Sequence, residues 1–207
     1  MNKYLTHEEQ LETLKEWWKN YGKTTLAAVI IAAIASFGWR YWKQYKVEAG
    51  QKASNLYEQM LVAESQSQPK EVQKIAFTLF ENYDGTPYAK LGQLIVAKLD
   101  VKEGNLADAE QKLLWVMQDA KSSQLRQIAR LRVARVMLAQ KKYKEALEIL
   151  NTVDDKNYVG AIAEIKGDIY TAQEKKDLAR EEYQNALQQL PQDSGNYALV
   201  QMKLADL

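Results

Sequence analysis

Thr24-Thr-Leu-Ala-Ala-Val-Ile-Ile-Ala-Ala-Ile-Ala-Ser-Phe-Gly-Trp39 runs sixteen residues without a charge, between Lys23 and Arg40, in a chain where 27% of residues are charged. As a helix it rises about 24 Å, short of the ~30 Å hydrocarbon core of a bilayer. Its flanks supply the difference. Lys23 and Arg40 have stems long enough to snorkel outward, and Trp17 and Trp18 on one side match Trp39, Tyr41, Trp42 and Tyr45 on the other, an aromatic collar at each interface. Counted from Tyr21 to Trp42, the segment is long enough to span. A buried core helix rarely carries aromatic and basic collars at both ends. A cleaved signal peptide has a foothold in Ala33-Ile34-Ala35, a small-x-small site. The long leader with as many acids as lysines, and the apolar Phe37, Gly38 and Trp39 beyond the cut, argue instead for a permanent anchor.

The leader before it begins with a Thr6-His7-Glu8-Glu9 capping box. Leu11, Leu14, Trp17 or Trp18 and Tyr21 then form one apolar stripe opposite Glu8, Glu12, Glu16 and Lys19. That is the pattern of a helix lying on a surface. Four lysines in the leader (Lys3, Lys15, Lys19, Lys23) face four cations just after the span (Arg40, Lys43, Lys46, Lys52). Charge asymmetry therefore does not orient the span. Ala28, Ala32 and Ser36 recur at four-residue intervals along it and are the candidate face for packing against another membrane helix.

Beyond the span the composition is helical: Gly 9 and Pro 3 are scarce in 207 residues. Lys+Arg 28 against Asp+Glu 27 leaves no basic excess for nucleic acid, and with Cys 0 there is no disulfide, thiolate site or Cys nucleophile. The one histidine, His7, reads as a solvated helix-start residue. Val47, Ala53, Leu56, Tyr57, Met60 and Leu61 keep a helical period up to the break at Ser65-Gln-Ser-Gln-Pro69. A second helix runs from about Pro69 through Phe80 and ends near Asp84-Gly85-Thr86-Pro87, a strong turn signal.

From Tyr88 the chain repeats itself. Gly167, Tyr170, Ala179, Tyr183, Ala186 and Pro191 fall at the offsets of the tetratricopeptide pattern. Gly167 and Ala179 are small where two helices cross closely, Tyr170 and Tyr183 fill the adjoining space, and Pro191 stops the second helix. Ala134, Tyr143, Ala146 and Leu150 make a looser unit before it, and Ala97, Gly104, Leu106, Ala109 and Leu113 one before that. Ala109, Ala146 and Ala179 lie 37 and 33 residues apart, bracketing the ~34 of the pattern. Tyr197–Leu207 reads as an amphipathic closing helix, with Leu199, Met202 and Leu207 expected to cover the last repeat.

The first helix of each unit lines the concave face of such an array. Its groove-facing offsets hold Leu91, Leu94, Lys98 and Val101, then Ile128, Leu131, Arg135 and Leu138, then Ala161, Glu164, Asp168 and Thr171. The first eight are the candidate protein-binding groove, apolar and basic at its edge, and the third set turns the C-terminal end of the face acidic. An apolar groove with sparse charge suits an extended or partly folded polypeptide. The competing reading packs several of these leucines under the closing helix or against the 47–82 pair. The Lys/Asn/Lys set with which some tetratricopeptide domains clamp a carboxyl terminus is missing.

The order of parts resembles the YfgM family, the ancillary subunits of the bacterial SecYEG translocon. The likeness rests on Gly38-Trp-Arg-Tyr-Trp42 at the membrane exit, the Thr86-Pro-Tyr-Ala89 turn, Leu131-Arg-Val-Ala-Arg-Val136 and the Lys166-Gly-Asp…Ala179-Arg…Tyr183…Ala186 unit. It runs over nearly the whole chain; the Ser/Gln-rich 65–69 break and details of the leader depart from it. The resemblance implies a single-pass inner-membrane protein with its N-terminus cytoplasmic and its C-terminal domain periplasmic. It also implies partnership with SecYEG and the membrane-anchored chaperone PpiD, and a part in passing exported, unfolded polypeptides to periplasmic folding factors. It brings no catalytic residue.

The expected fold is all-α, a single N-terminal transmembrane helix followed by a tetratricopeptide-like α-solenoid. The expected divisions are a leader (1–23), the signal-anchor helix (24–42), a helical pair leading into the solenoid (43–87), and the repeats with their capping helix (88–207). The leading function is a non-enzymatic chaperone-adaptor without cofactor or metal. A scaffold subunit of another envelope assembly machine is the alternative, since repeat domains are widely reused. An enzyme would need an activated nucleophile, a metal cluster or a poised acid–base pair; Asp154-Asp155, in a loop between repeats, has no visible partner for such work.

Overall fold

A computed structural model describes residues 7–152 and 155–207. The Thr6 capping box, the His7 side chain and Asp154 of the acid pair lie outside what is described. Among the described residues the regular structure is helical, with no strand. Two compact units divide at Gln51 and Lys52.

The first unit holds most of α1 (His7–Ser65). Its apolar run is dressed by no protein: Ile31, Ile34 and Phe37 are 66%, 67% and 72% exposed. A core helix would bury these side chains, so that rival reading fails. The helix is long and apolar enough to cross a membrane. Trp39 and Trp42 lie 5.5 Å apart with the Lys46 ammonium 3.6 Å above the Trp42 ring. On the other side Trp17 touches Trp18 and Tyr21, each at 6.3 Å. The expected boundaries at 23/24 and 42/43 both fall inside α1.

The second unit starts with the end of α1 and continues through α2 (Pro69–Tyr83), α3 (Pro87–Glu103), α4 (Leu106–Asp119), α5 (Ser123–Ala139), α6 (Tyr143–Asn151), α7 (Val159–Ala172), α8 (Lys176–Gln189) and α9 (Gly195–Ala205). A short 3-10 turn, Lys156–Tyr158, precedes α7. Pro69 and Pro87 sit at the first positions of α2 and α3, where their missing N–H costs no hydrogen bond.

One backbone device generates the repetition. Ser67, Gly104, Lys141 and Glu174 all have left-handed backbones (φ 57°, 82°, 63° and 61°). Each closes its helix with the same pair of hydrogen bonds: Gly104 N–H to Val101 O and Asn105 N–H to Asp100 O, and their equivalents at the other three turns. This is a Schellman-type stop that satisfies the last carbonyls and reverses the chain. The four turns are spaced 37, 37 and 33 residues apart. The array therefore has four hairpins where the sequence pattern gave three, the first made by the end of α1 with α2.

The packing explains why that first hairpin is hard to read. Seven residues before each turn stand Met60, Ala97, Ala134 and Gly167; five after stand Val72, Ala109, Ala146 and Ala179; nine after stand Ala76, Leu113, Leu150 and Tyr183. The Met60, Ala97, Ala134, Val72, Ala109, Ala146, Ala179 and Leu150 side chains have at most 1% of their surface exposed. The large residue of this set lies on the first helix in the first hairpin (Met60, with Ala76) and on the second helix in the last (Tyr183, with Gly167).

The closing helix is present but rotated from expectation. Ser194 caps α9 by accepting from Tyr197 N–H at 3.2 Å. Val200 is fully buried and Leu204 and Leu207 pack beside it, whereas Leu199 and Met202 are 43% and 65% exposed. The polar contacts set this rotation. Lys203 must reach Glu164 and Asp168 (2.9 and 2.8 Å), which puts 200, 203, 204 and 207 on the inner face. Burying Val200 contributes about 2 kcal/mol to the docking.

A cation-rimmed groove as the candidate binding site

Three first helices, the end of α1, α3 and α5, present side chains to the same face of the second unit. Between α3 and α5 lies a cavity of about 360 Å³. Leu94, Val101 and Val136 form its walls and Leu106 and Leu113 of α4 its floor. The polar lining consists of Lys98, Lys102, Arg132 and Arg135, with no acidic residue among the lining side chains.

Of the eight side chains expected in the groove, Leu94, Lys98, Val101 and Arg135 line this cavity. Leu91, Ile128 and Leu138 are half-buried against the core, and Leu131 belongs to the core itself at 7% exposure. Four leucine- or isoleucine-bearing positions thus hold the array together beneath the groove. Lys102, Arg132, Leu106 and Leu113 line the cavity as well, outside the eight expected positions. The signal for the cations was available: Lys102 is four residues from Lys98 and Arg132 three from Arg135, on the same helical faces.

The acidic end expected from the third unit is occupied by the protein itself. Glu164 is 3% exposed and accepts from Arg135 (3.3 Å) and Lys203 (2.9 Å). Asp168 accepts from Lys203 and from the Tyr183 hydroxyl, each at 2.8 Å. Thr171 donates to the Gly167 carbonyl at 2.9 Å and lies 3.2 Å from the Tyr183 oxygen, while Ala161 packs on the core. Burial pulls the Lys203 pKa down, but its hydrogen bonds to Asp168 and Glu164 outweigh this and hold it above the ordinary lysine value. Burial, together with Asp168, pushes the Tyr183 hydroxyl up.

Around the cavity the electrostatics are one-sided. The hydrogen bond from Lys98 to Glu64 (2.7 Å) holds that carboxyl below its usual range, and Lys102 reinforces it. Arg132 is lowered by burial and then by the neighbouring Arg135 guanidinium. Burial raises the nearby Tyr57 hydroxyl, opposed by Arg132. Arg132 and Lys102 have no carboxylate in salt-bridge contact among the described residues. In the first unit, Ala28, Ala32 and Ser36 are all exposed along α1.

The exposed apolar helix and the four-hairpin array define a helical-repeat interaction protein. The model of the tetratricopeptide repeat-like domain family matches residues 15–207. Over 208 residues the chain is 31% identical to the ancillary SecYEG translocon subunit of Neisseria gonorrhoeae (strain ATCC 700825 / FA 1090), covering 100% of both. It is 27% identical over 180 residues to the ancillary SecYEG translocon subunit of Escherichia coli (strain K12), covering 87% of this chain and 86% of that protein. The solved structure of MamA 41-end from Desulfovibrio magneticus RS-1 superposes with a TM-score of 0.55 at 17% identity, over 76% of this chain and 88% of that one. That likeness concerns the fold alone. The chain belongs to the family of ancillary SecYEG translocon subunits, the YfgM family.

Proposed function

We propose that this chain is a non-enzymatic, membrane-anchored adaptor at the SecYEG translocon, helping to pass exported proteins to periplasmic folding factors. The observation that carries the reading is the end-to-end match to translocon subunits in a chain that joins an exposed apolar helix to a helical-repeat domain. In this reading residues 24–42 anchor the chain in the bacterial inner membrane. The leader is cytoplasmic, residues 43–87 lead into the solenoid, and the repeats (88–207) stand in the periplasm. Ala28, Ala32 and Ser36 form the edge that meets another membrane helix, where small side chains let backbones approach closely.

The groove carries the second half of the proposal. Leu94, Val101, Leu131, Leu91, Ile128 and Leu138 form an apolar band, some at its surface and some supporting it, with Lys98 and Arg135 at its edge. Such a surface holds a stretch of unfolded exported chain, or a segment of the partner chaperone PpiD, through apolar contact and a few orienting charges. The test is affinity isolation of the intact protein from crosslinked membranes with its neighbours identified. SecYEG subunits together with PpiD or exported chains are the expected companions. Dominant recovery of an outer-membrane assembly or cell-wall synthesis complex would replace this reading with that of an envelope scaffold.

A further inference from the structure

The cavity between α3 and α5 is apolar at its base, yet all of its charged lining side chains are cations. The chain as a whole is nearly neutral, so this concentration is local. Lys98 is engaged by Glu64 and Arg135 by Glu164. Lys102 and Arg132 have no such partner, and they stand on opposite walls. Along each wall two cations follow one another at three or four residues, about one helical turn or roughly 4.5–6 Å of rise. A track of this kind fits carboxylates repeated along a polypeptide. A lipid has one headgroup and meets only one end of it. Nucleic acid fits poorly, because the floor between the cations is leucine and valine and offers its phosphates nothing.

We propose that this cavity receives an apolar polypeptide segment bearing acidic side chains, with Lys102 and Arg132 binding carboxylates from opposite walls while an apolar side chain enters above Leu106 and Leu113. The proposal rests on the reading of the groove as a polypeptide site and narrows it to acidic, amphipathic segments. Specificity arises because a basic segment meets the like charges of Lys102 and Arg132, which no carboxylate pairs among the described residues, and like-charge juxtaposition excludes partners more sharply than attraction selects them.

The test uses the full chain in phosphatidylcholine nanodiscs and three labelled synthetic peptides of about twelve residues, enough for three helical turns. One has a leucine face and two glutamates one turn apart; the second replaces both glutamates by glutamine; the third keeps the glutamates and replaces the leucines by serine. The first is expected to bind about tenfold tighter than the second at low salt, the advantage shrinking several-fold at ~0.5 M salt, and the third not to bind. In Lys102→Gln/Arg132→Gln the first two peptides bind alike, while Arg132→Lys alone keeps most of the preference. Neither side chain belongs to the core, and thermal unfolding followed by circular dichroism checks that the variants fold. Equal binding of the first two peptides by the parent protein overturns the acidic preference and leaves the groove reading in place. Binding of none of the three overturns the groove reading itself. Displacement of the first peptide by short-chain phosphatidylglycerol, dependent on Arg132, assigns the site to lipid and overturns the proposal.

Discussion

Gly167→Ala is the sharpest single test of the packing. A Cβ on Gly167 lies 2.5 Å from Tyr183 Cδ1, inside the ring's van der Waals envelope. Tyr183 is 2% exposed, and its hydroxyl donates to Asp168 at 2.8 Å with Thr171 at 3.2 Å, so the far end of the ring is pinned. Overpacking of this kind costs about 1–3 kcal/mol. Moving the ring sacrifices a further ~1 kcal/mol for each hydrogen bond lost. Against this, alanine is better than glycine in a helix by about 1 kcal/mol. The balance is a destabilisation of about 2–4 kcal/mol, a large share of the 5–15 kcal/mol typical of a domain. Urea titration of the full chain in micelles, followed by circular dichroism, measures it. Gly92→Ala is the control: the nearest atoms there are the flexible ends of Leu79 (3.3 Å) and Met60 (3.4 Å), and the expected change is within about 1 kcal/mol of zero. In the Gly167→Ala background, Tyr183→Leu should recover part of the loss as a positive coupling. A Gly167→Ala protein as stable as the parent would refute the close crossing of α7 and α8.

Three further outcomes follow from other parts of the molecule. Lys203→Met leaves Glu164 buried with only Arg135, and should destabilise α9 docking by about 2 kcal/mol, seen as faster hydrogen exchange in residues 195–205. Because the folded-state pKa of Lys203 is raised, its contribution is fully present below the ordinary lysine value near 10.4 and disappears as pH rises through the higher folded value. The α9 exchange rate should therefore hold steady from pH 7 to about 10 after correction for intrinsic exchange, and climb above that. Lys141→Gly and Glu174→Gly relieve left-handed backbones and should each stabilise the array by roughly 0.5–1 kcal/mol; a loss of that size in both would contradict the turn geometry. Ile34→Lys puts a charge near the centre of the apolar run, at a cost of about 3 kcal/mol to membrane insertion. It should shift the protein from the membrane to the soluble fraction, and unchanged retention would count against the anchor.

What the sequence exposed and what it hid both have physical causes. The last hairpin was readable because Gly167, Ala179 and Tyr183 put the small and large residues of the crossing where the repeat pattern expects them. The first hairpin was not, because Met60 and Ala76 exchange those volumes. Periodicity alone places Leu131 in the groove, but a helix in an array has neighbours on two sides, and the core between them takes that leucine. The rotation of α9 is not legible in the sequence because Leu199 and Met202 are as apolar as Val200 and Leu204. Only the carboxylates of Glu164 and Asp168, distant in sequence, select between the two faces. The cation rim was visible as residues and invisible as a constellation, since Lys102 and Arg132 come together only when α3 and α5 are packed.

The most direct measurement places a photocrosslinking amino acid at Val101, 43% exposed at the groove wall, and separately at Phe77, 66% exposed on α2. Each protein is expressed at full length in cells actively exporting protein and irradiated, and its adducts are identified. Adducts with exported chains or PpiD from Val101, absent from Phe77, are the expected result. A Val101 probe that yields no such adduct, while Phe77 captures the same partners, would show that the groove is not where this protein does its work.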